Sequence, residues 1–362
     1  HFPSDIGGEC KQFTGDISNF GPLEKKLQRS IKKGLKLMSR DIQLGVAAAQ
    51  LAISDAGLGP DSYDPSRIGT LFGSDHIITS PNEFVTGIRE CVGDDGSFDF
   101  ARWGQDGLSN VEPLWLLKYL PNMPASHVAI YNDLRGPSNS VTMREASSNL
   151  AIAEAATIIQ RGSADMMVAG ATGSRIHLIR TIHIVLQEQL ADRNTAAAGG
   201  DPTKACRPYD IDRSGMVLGE GSGVLLLETL ESAEKRNARI YGEVVGHGSS
   251  SVSAPSGAAD KKTAFANVLK SALETSGLSP QDVGHIHGHG MGSVQADRAE
   301  AIAISEVLPN VPVTAAKSYV GNLGASGGMV EAISSILALQ HQQQIPILNC
   351  ESPDPECPIH PV

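Results

Sequence analysis

Short apolar runs alternate with longer alanine-rich segments along this chain, and the series occurs twice. Strand-length runs separated by helix-length segments build sheets with helices packed against them, an α/β architecture. In the first series, residues 41–57 (DIQLGVAAAQLAISDAG) read as a buried helix stopped at Gly57, and 127–131 (HVAIY) as a strand. The Gly136-Pro137 turn leads to a short strand around Ser140–Met143. An alanine-rich helix then runs from about Glu145 to Arg161, ended by Gly162, and MMVAGA (166–171) is a buried strand. Residues 217–228 give a glycine-broken strand region. The polar, helical segment 229–238 (TLESAEKRNA) is the best boundary, dividing the chain into halves 1–230 and 231–362. In the second series IYGEVVG (240–246), VGHIHGH (283–289), VPVTAA (311–316) and IPIL (345–348) read as strands. Helices are expected at 260–277, from Asp297, and from about Ser326 to His341.

With aromatics at 4%, the core has to be made of Ala, Val, Ile and Leu. The net charge of −11 argues against a general nucleic-acid binder, which needs a cationic face. One stretch opposes that trend: Lys25, Lys26, Arg29, Lys32, Lys33, Lys36 and Arg40, with no acid among residues 25–40. It reads as a solvated helix face or as a docking patch for an acidic protein. Cys10, Cys91, Cys206, Cys350 and Cys357 are scattered and odd in number, as in a reduced, cytoplasmic protein rather than a disulfide framework. No apolar run reaches membrane-spanning length, and no signal peptide is expected.

Six segments, in order, carry a family resemblance. They are LPNMPASHVAI (120–130) with RGPSNSV (135–141), RPYDIDRSGMVLGEGSGVLLLE (207–228), HGMGSVQADRAEA (289–301), KSYVGNLGASGGMVEAI (317–333) and IPILNCESPDPEC (345–357). Together they resemble the β-ketoacyl synthase (ketosynthase) family over nearly the whole chain, although each alone is a weak signal. The resemblance implies the thiolase fold: two related α/β halves forming a five-layered α-β-α-β-α core, usually as a dimer. It implies no cofactor, and it implies acyl carrier protein as a partner. It also implies a chemistry in which a cysteine at a buried helix N-terminus takes an acyl chain, and two basic side chains promote decarboxylation of a malonyl unit. The chain opens on His1 and stops before the family's closing Gly-Phe-Gly-Gly-type loop, so the reading expects a sequence incomplete at both ends.

Transferred residue by residue, the nucleophile position is Glu145, in the string VTMREASSN. His289, eight residues before Asp297, matches the first family histidine, and Asn322 stands where many members carry the second. Lys317 and Glu331 match the lysine and glutamate that support this half of the site. A carboxylate is a poor acyl acceptor, because a mixed anhydride would hydrolyse in preference to condensing. Glu145 also has a bland role, as an anion satisfied by the helix N-terminus for about 0.3–1 kcal/mol. Burial could instead keep it protonated and neutral. His289 and Asn322 could both donate hydrogen bonds to a thioester carbonyl as it becomes an enolate. Their bland roles are a leftover core histidine and a Gly-Asn turn, and Lys317 with Glu331 could be an ion pair kept for packing.

His285, His287 and His289 alternate, so on a strand they would share one face, a spacing that can bind zinc. The family has no metal requirement there, and no metal is expected. Three functions follow. The first is a non-condensing homologue resembling chain-length factors and acting as partner subunit, with a homodimer or a heterodimer with an active ketosynthase both left open. The second decarboxylates malonyl-carrier protein through His289 and Asn322, and the third is a condensing enzyme whose cysteine has been exchanged.

Overall fold

The computed structural model describes residues 4–59 and 62–362. The first half contains β1 (Gly7–Gly8), α1 (Lys25–Gly34), α2 (Arg40–Asp55), β2 (Ile68–Ser74), α3 (Val85–Glu90) and α4 (Met123–Asn132). It continues with β3 (Ser138–Val141), α5 (Ser147–Gln160), β4 (Met166–Ser174), α6 (Leu178–Val185) and β5 (Leu218–Glu228), and α7 (Leu230–Lys235) spans the expected boundary at residue 230. The second half contains α8 (Lys261–Ser276), β6 (Ile286–His287), α9 (Val294–Val307), β7 (Pro312–Thr314), α10 (Lys317–Val320), α11 (Gly327–His341) and β8 (His360–Pro361).

The strands form one sheet in the order β1-β5-β4-β2-β3 and another in the order β6-β7-β8. Among the strand pairings of the described residues, only β4–β5 is antiparallel. β2 and β4 are buried at every residue, as central strands covered on both faces must be. Their side chains divide by the two-residue period. Ile68, Phe72 and Val168 join Ile42 and Val46 of α2 and Val128 of α4 on one face. Leu71, Met167 and Ala169 meet Ala151, Ala155 and Ile158 of α5 on the other. α11 packs beside α5 and touches β5 and β6, while α9 lies over β7 with α8 against it. The order α2/α4, large sheet, α5/α11, small sheet, α8/α9 is the five-layered thiolase arrangement.

Several local expectations are corrected. HVAIY is the second half of helix α4, not a strand. Pro124 starts that helix, Asp133 closes it at φ 52°, and Ala125 and Val128 are buried one turn apart against α2. IYGEVVG forms no strand: its last residue, Gly246, lies against α8, where a Cβ would meet the backbone of Ala272. IPIL is held by single contacts, such as Ile347 N–H to Val362 O at 3.0 Å, and is not a strand. VGHIHGH shrinks to Ile286–His287. Among the described residues no helix is long and apolar enough to cross a membrane.

Candidate active site

β3 runs out into a single turn, Arg144–Ala146, before α5 begins, and Glu145 sits on that turn. Arg144 adopts φ 51°, a left-handed conformation costly for a residue with a side chain. The first residue of α5 is pressed against the end of β2 at Gly73, where a Cβ would come within 2.8 Å of the Ser147 backbone. The glycine therefore brings the start of α5 onto the sheet.

The Glu145 side chain is 19% exposed, and its Oε1 accepts from Arg175 Nη1 at 2.5 Å and Asn322 Nδ2 at 3.2 Å. Arg144 Nε lies 3.5 Å from Oε2. Arg175 follows directly on β4, is 3% exposed, and is braced from behind by Asp75, with Nε to Oδ2 at 3.3 Å. Asp75 also lies 3.9 Å from Arg180, which is 3.2 Å from Asp41. Charges thus alternate along a buried line from α2 to the turn. Burial pushes the Glu145 carboxyl up, but Arg175 and the other cations around it outweigh burial and hold it well below the usual carboxylate range. Glu145 is therefore an anion, not a neutral acid. The expected holder was the α5 N-terminus; its hydrogen bonds come instead from Arg175 and Asn322.

His289 and Lys317 come from the second half. Lys317 Nζ lies 3.1 Å from His289 Nδ1 and is ion-paired with Glu331 of α11. Glu300 of α9 fixes the loop: it accepts from the His289 N–H at 2.5 Å, the Gly290 N–H at 2.9 Å and the Tyr209 hydroxyl at 2.7 Å. Asp297 accepts from the Met291 N–H at 2.9 Å and the Tyr209 N–H at 3.0 Å. Burial, then the Lys317 charge, lower the His289 imidazole to about 4, so it is neutral at pH 7. Glu145 and His289 stand close enough for the charge of each to shift the titration of the other.

Asn322 is almost wholly buried and lies beside β5: its N–H donates to Val217 O at 2.7 Å, and its carbonyl accepts from Gly219 N–H at 3.0 Å. Both amide hydrogens are engaged, one on Glu145 and one on Met216 Sδ at 3.3 Å, while Oδ1 accepts from Gly324 N–H at 3.0 Å. The structure therefore gathers Glu145, His289, Asn322, Lys317 and Glu331 around the junction of the two halves.

The three alternating histidines do not act together. His287 is occupied: its Nε2 accepts from Ala316 N–H at 2.9 Å and its Nδ1 lies 3.1 Å from Ser335 Oγ. Among the described residues no three histidine, cysteine or acidic side chains are grouped to hold a metal. Of the basic stretch, Lys25, Lys26, Arg29, Lys32, Lys33 and Lys36 face solvent. Arg40 turns inward to Glu220 at 2.6 Å. Sequence reasoning missed Arg175 and Asp75. The available signal was an arginine directly after an otherwise buried strand, since a charge in such a place needs a partner.

Comparison with known proteins bears on the family and the fold. The model of the β-ketoacyl synthase N-terminal domain matches residues 1–233, and that of the C-terminal domain matches residues 241–351. The 3-oxoacyl-[acyl-carrier-protein] synthase 2 of Synechocystis is 32% identical over 98% of this chain and 80% of its own. A β-ketoacyl synthase crystal structure from Burkholderia phymatum superposes with TM-score 0.77 at 27% identity, covering 91% of this chain and 77% of that one. The ishigamide ketosynthase/chain length factor gives TM-score 0.72 at 25% identity, covering 91% and 76%. With both domain models placed end to end on the five-layered fold, this chain belongs to the β-ketoacyl synthase family.

Proposed function

We propose that this chain is a non-condensing β-ketoacyl synthase homologue, acting as the chain-length-factor-like partner subunit of an active ketosynthase in fatty-acid or polyketide-type synthesis. The observation that carries this reading is Glu145. Counting through the motif order assigns it to the position of the family's cysteine, and the Arg175 guanidinium at 2.5 Å supports its being an anion. A carboxylate in that state can neither store an acyl group as a thioester nor welcome a second carboxylate beside it. The likeness to a ketosynthase/chain length factor supports the same role. The functional halves are 1–230 and 231–362, with the site at their junction.

The pairing surface in this proposal is the free edge of the large sheet at β3. Exposed apolar side chains lie near it at Met143 (60%), two residues beyond β3, and at Leu186 (80%), next in sequence to the Gln187 and Glu188 side chains that Arg144 reaches. An unpaired strand edge beside apolar surface favours another chain. The exposed cations of α1 serve as the dock for acyl carrier protein, the substrate carrier in the name of the Synechocystis relative. Co-expression with an active ketosynthase tests the proposal. A stable heterodimer is expected, and an exclusive homodimer that never exchanges subunits overturns it.

One observation favours the second reading, decarboxylation of malonyl-carrier protein. His289 is not fully buried, and with Nδ1 facing Lys317 its Nε2 is left as a hydrogen-bond donor. Against it, Asn322 has both amide hydrogens engaged. Release of labelled carbon dioxide, lost in His289→Ala, would support this reading over the first.

A further inference from the structure

Arg175 and Asn322 converge on a single oxygen, Glu145 Oε1, at 2.5 and 3.2 Å. Neither donor owes its position to Glu145. Asp75 braces the Arg175 guanidinium from the far side at 3.3 Å. Asn322 is fixed by its backbone bonds to β5 and by the Gly324 N–H on its Oδ1. Gly324, at φ 65°, leaves room for this assembly, since a side chain there would run into Asp75 and Arg175. A nearly buried guanidinium and a buried amide, both preset and aimed at one point, have the make-up of a carboxylate receptor.

We propose that Arg175 and Asn322 form a carboxylate-binding site that Glu145 fills from within, as a ligand tethered to the chain. The inference goes beyond the proposed pairing role and holds whether or not the chain forms a heterodimer. It assigns Arg175 and Asn322 to ligand binding, and it explains the arginine that follows β4. The class of ligand is a small carboxylate, or the free carboxylate end of a larger molecule. While Glu145 is present, a carboxylate in solution must compete with one already in place, so the site is closed to it. Shortening the tether opens the site, because the donors remain where Asp75 and β5 hold them.

The test is acetate binding to the Glu145→Ala chain, by calorimetry and thermal shift, with chloride and inorganic phosphate as the comparison anions. Acetate should bind the alanine variant at least about ten-fold more tightly than it binds the unaltered chain, the value of one charge-assisted hydrogen bond. The gain should disappear when Arg175→Gln is added. Glu145→Gln should not gain acetate binding, because its amide still fills the space. Equal binding to the alanine variant and the unaltered chain overturns the proposal. So does a gain that survives Arg175→Gln, or a response to chloride or phosphate as strong as that to acetate. Should the alanine chain fold poorly, refolding in acetate against refolding in chloride asks the same question, and equal yields overturn it.

Discussion

The ammonium of Lys317 lies 3.1 Å from Nδ1 of His289, and an ammonium can only donate. Nδ1 is therefore the acceptor, and the ring proton is assigned to Nε2. Glu331, ion-paired with Lys317, holds the ammonium in place. Two residues from different helices, Lys317 of α10 and Glu331 of α11, thus fix the tautomer of one imidazole.

His289 should titrate at about 4, against an ordinary histidine value of 6.5. Between those values the unfolded chain binds the extra proton, so the contribution of His289 to stability falls as pH drops from 6.5 toward 4. Imidazole NMR titration should show a neutral ring at pH 6. The stability difference between the unaltered chain and His289→Gln should shrink across that window, and a difference independent of pH would contradict the assignment. Lys317→Met should move the titration upward, since it removes the second cause of the lowering.

Removing Arg175 leaves Asp75 and Glu145 without their shared cation. Breaking such a buried pair costs about 3–5 kcal/mol, so Arg175→Met should lower the denaturation midpoint sharply. Adding Glu145→Gln to that variant should recover part of the loss. Glu145 itself is held below its ordinary value of 4.5, so its contribution is present above that pH and is lost as pH falls below it. Acid unfolding of Glu145→Gln compared with the unaltered chain checks the sign.

Lys32 and Lys33 are exposed in the last turn of α1 and can be reversed in sign without touching the core. The double change to Glu should weaken binding of acyl carrier protein, most clearly at low salt where surface charges are least screened. Unchanged affinity at low ionic strength would remove α1 as the dock.

Met143→Lys with Leu186→Lys should abolish assembly with a ketosynthase partner while shifting the melting temperature of the isolated chain very little, because both side chains are mostly exposed. Sedimentation of the co-expressed pair reads the outcome directly. Retained assembly would place the interface elsewhere.

Much of the framework was legible before any coordinates. The helices at 40–55, 261–276 and 327–341 and the strands at 166–174 and 218–228 follow from apolar periodicity and glycine stops. The motif order supplied Glu145, His289, Lys317 and Asn322 as candidates. The misread elements share a cause. HVAIY, IYGEVVG and IPIL are rich in β-formers, but strand propensity is realised only where a neighbouring edge pairs with the segment. HVAIY instead belongs to a helix pressed on α2, and the other two have no partner strand.

By itself the sequence determined the two α/β series and the acidic residue at the head of α5, because burial periodicity and a single side chain are local properties. Only the tertiary structure decided the charge state of that residue. Arg175 lies 100 positions from Asp75 and 30 from Glu145, and Asn322 lies 177 from Glu145. Those distances in sequence collapse only because β2 and β4 lie side by side and the second half folds onto their ends. A buried charge is set by the partners that surround it, and no local pattern names those partners.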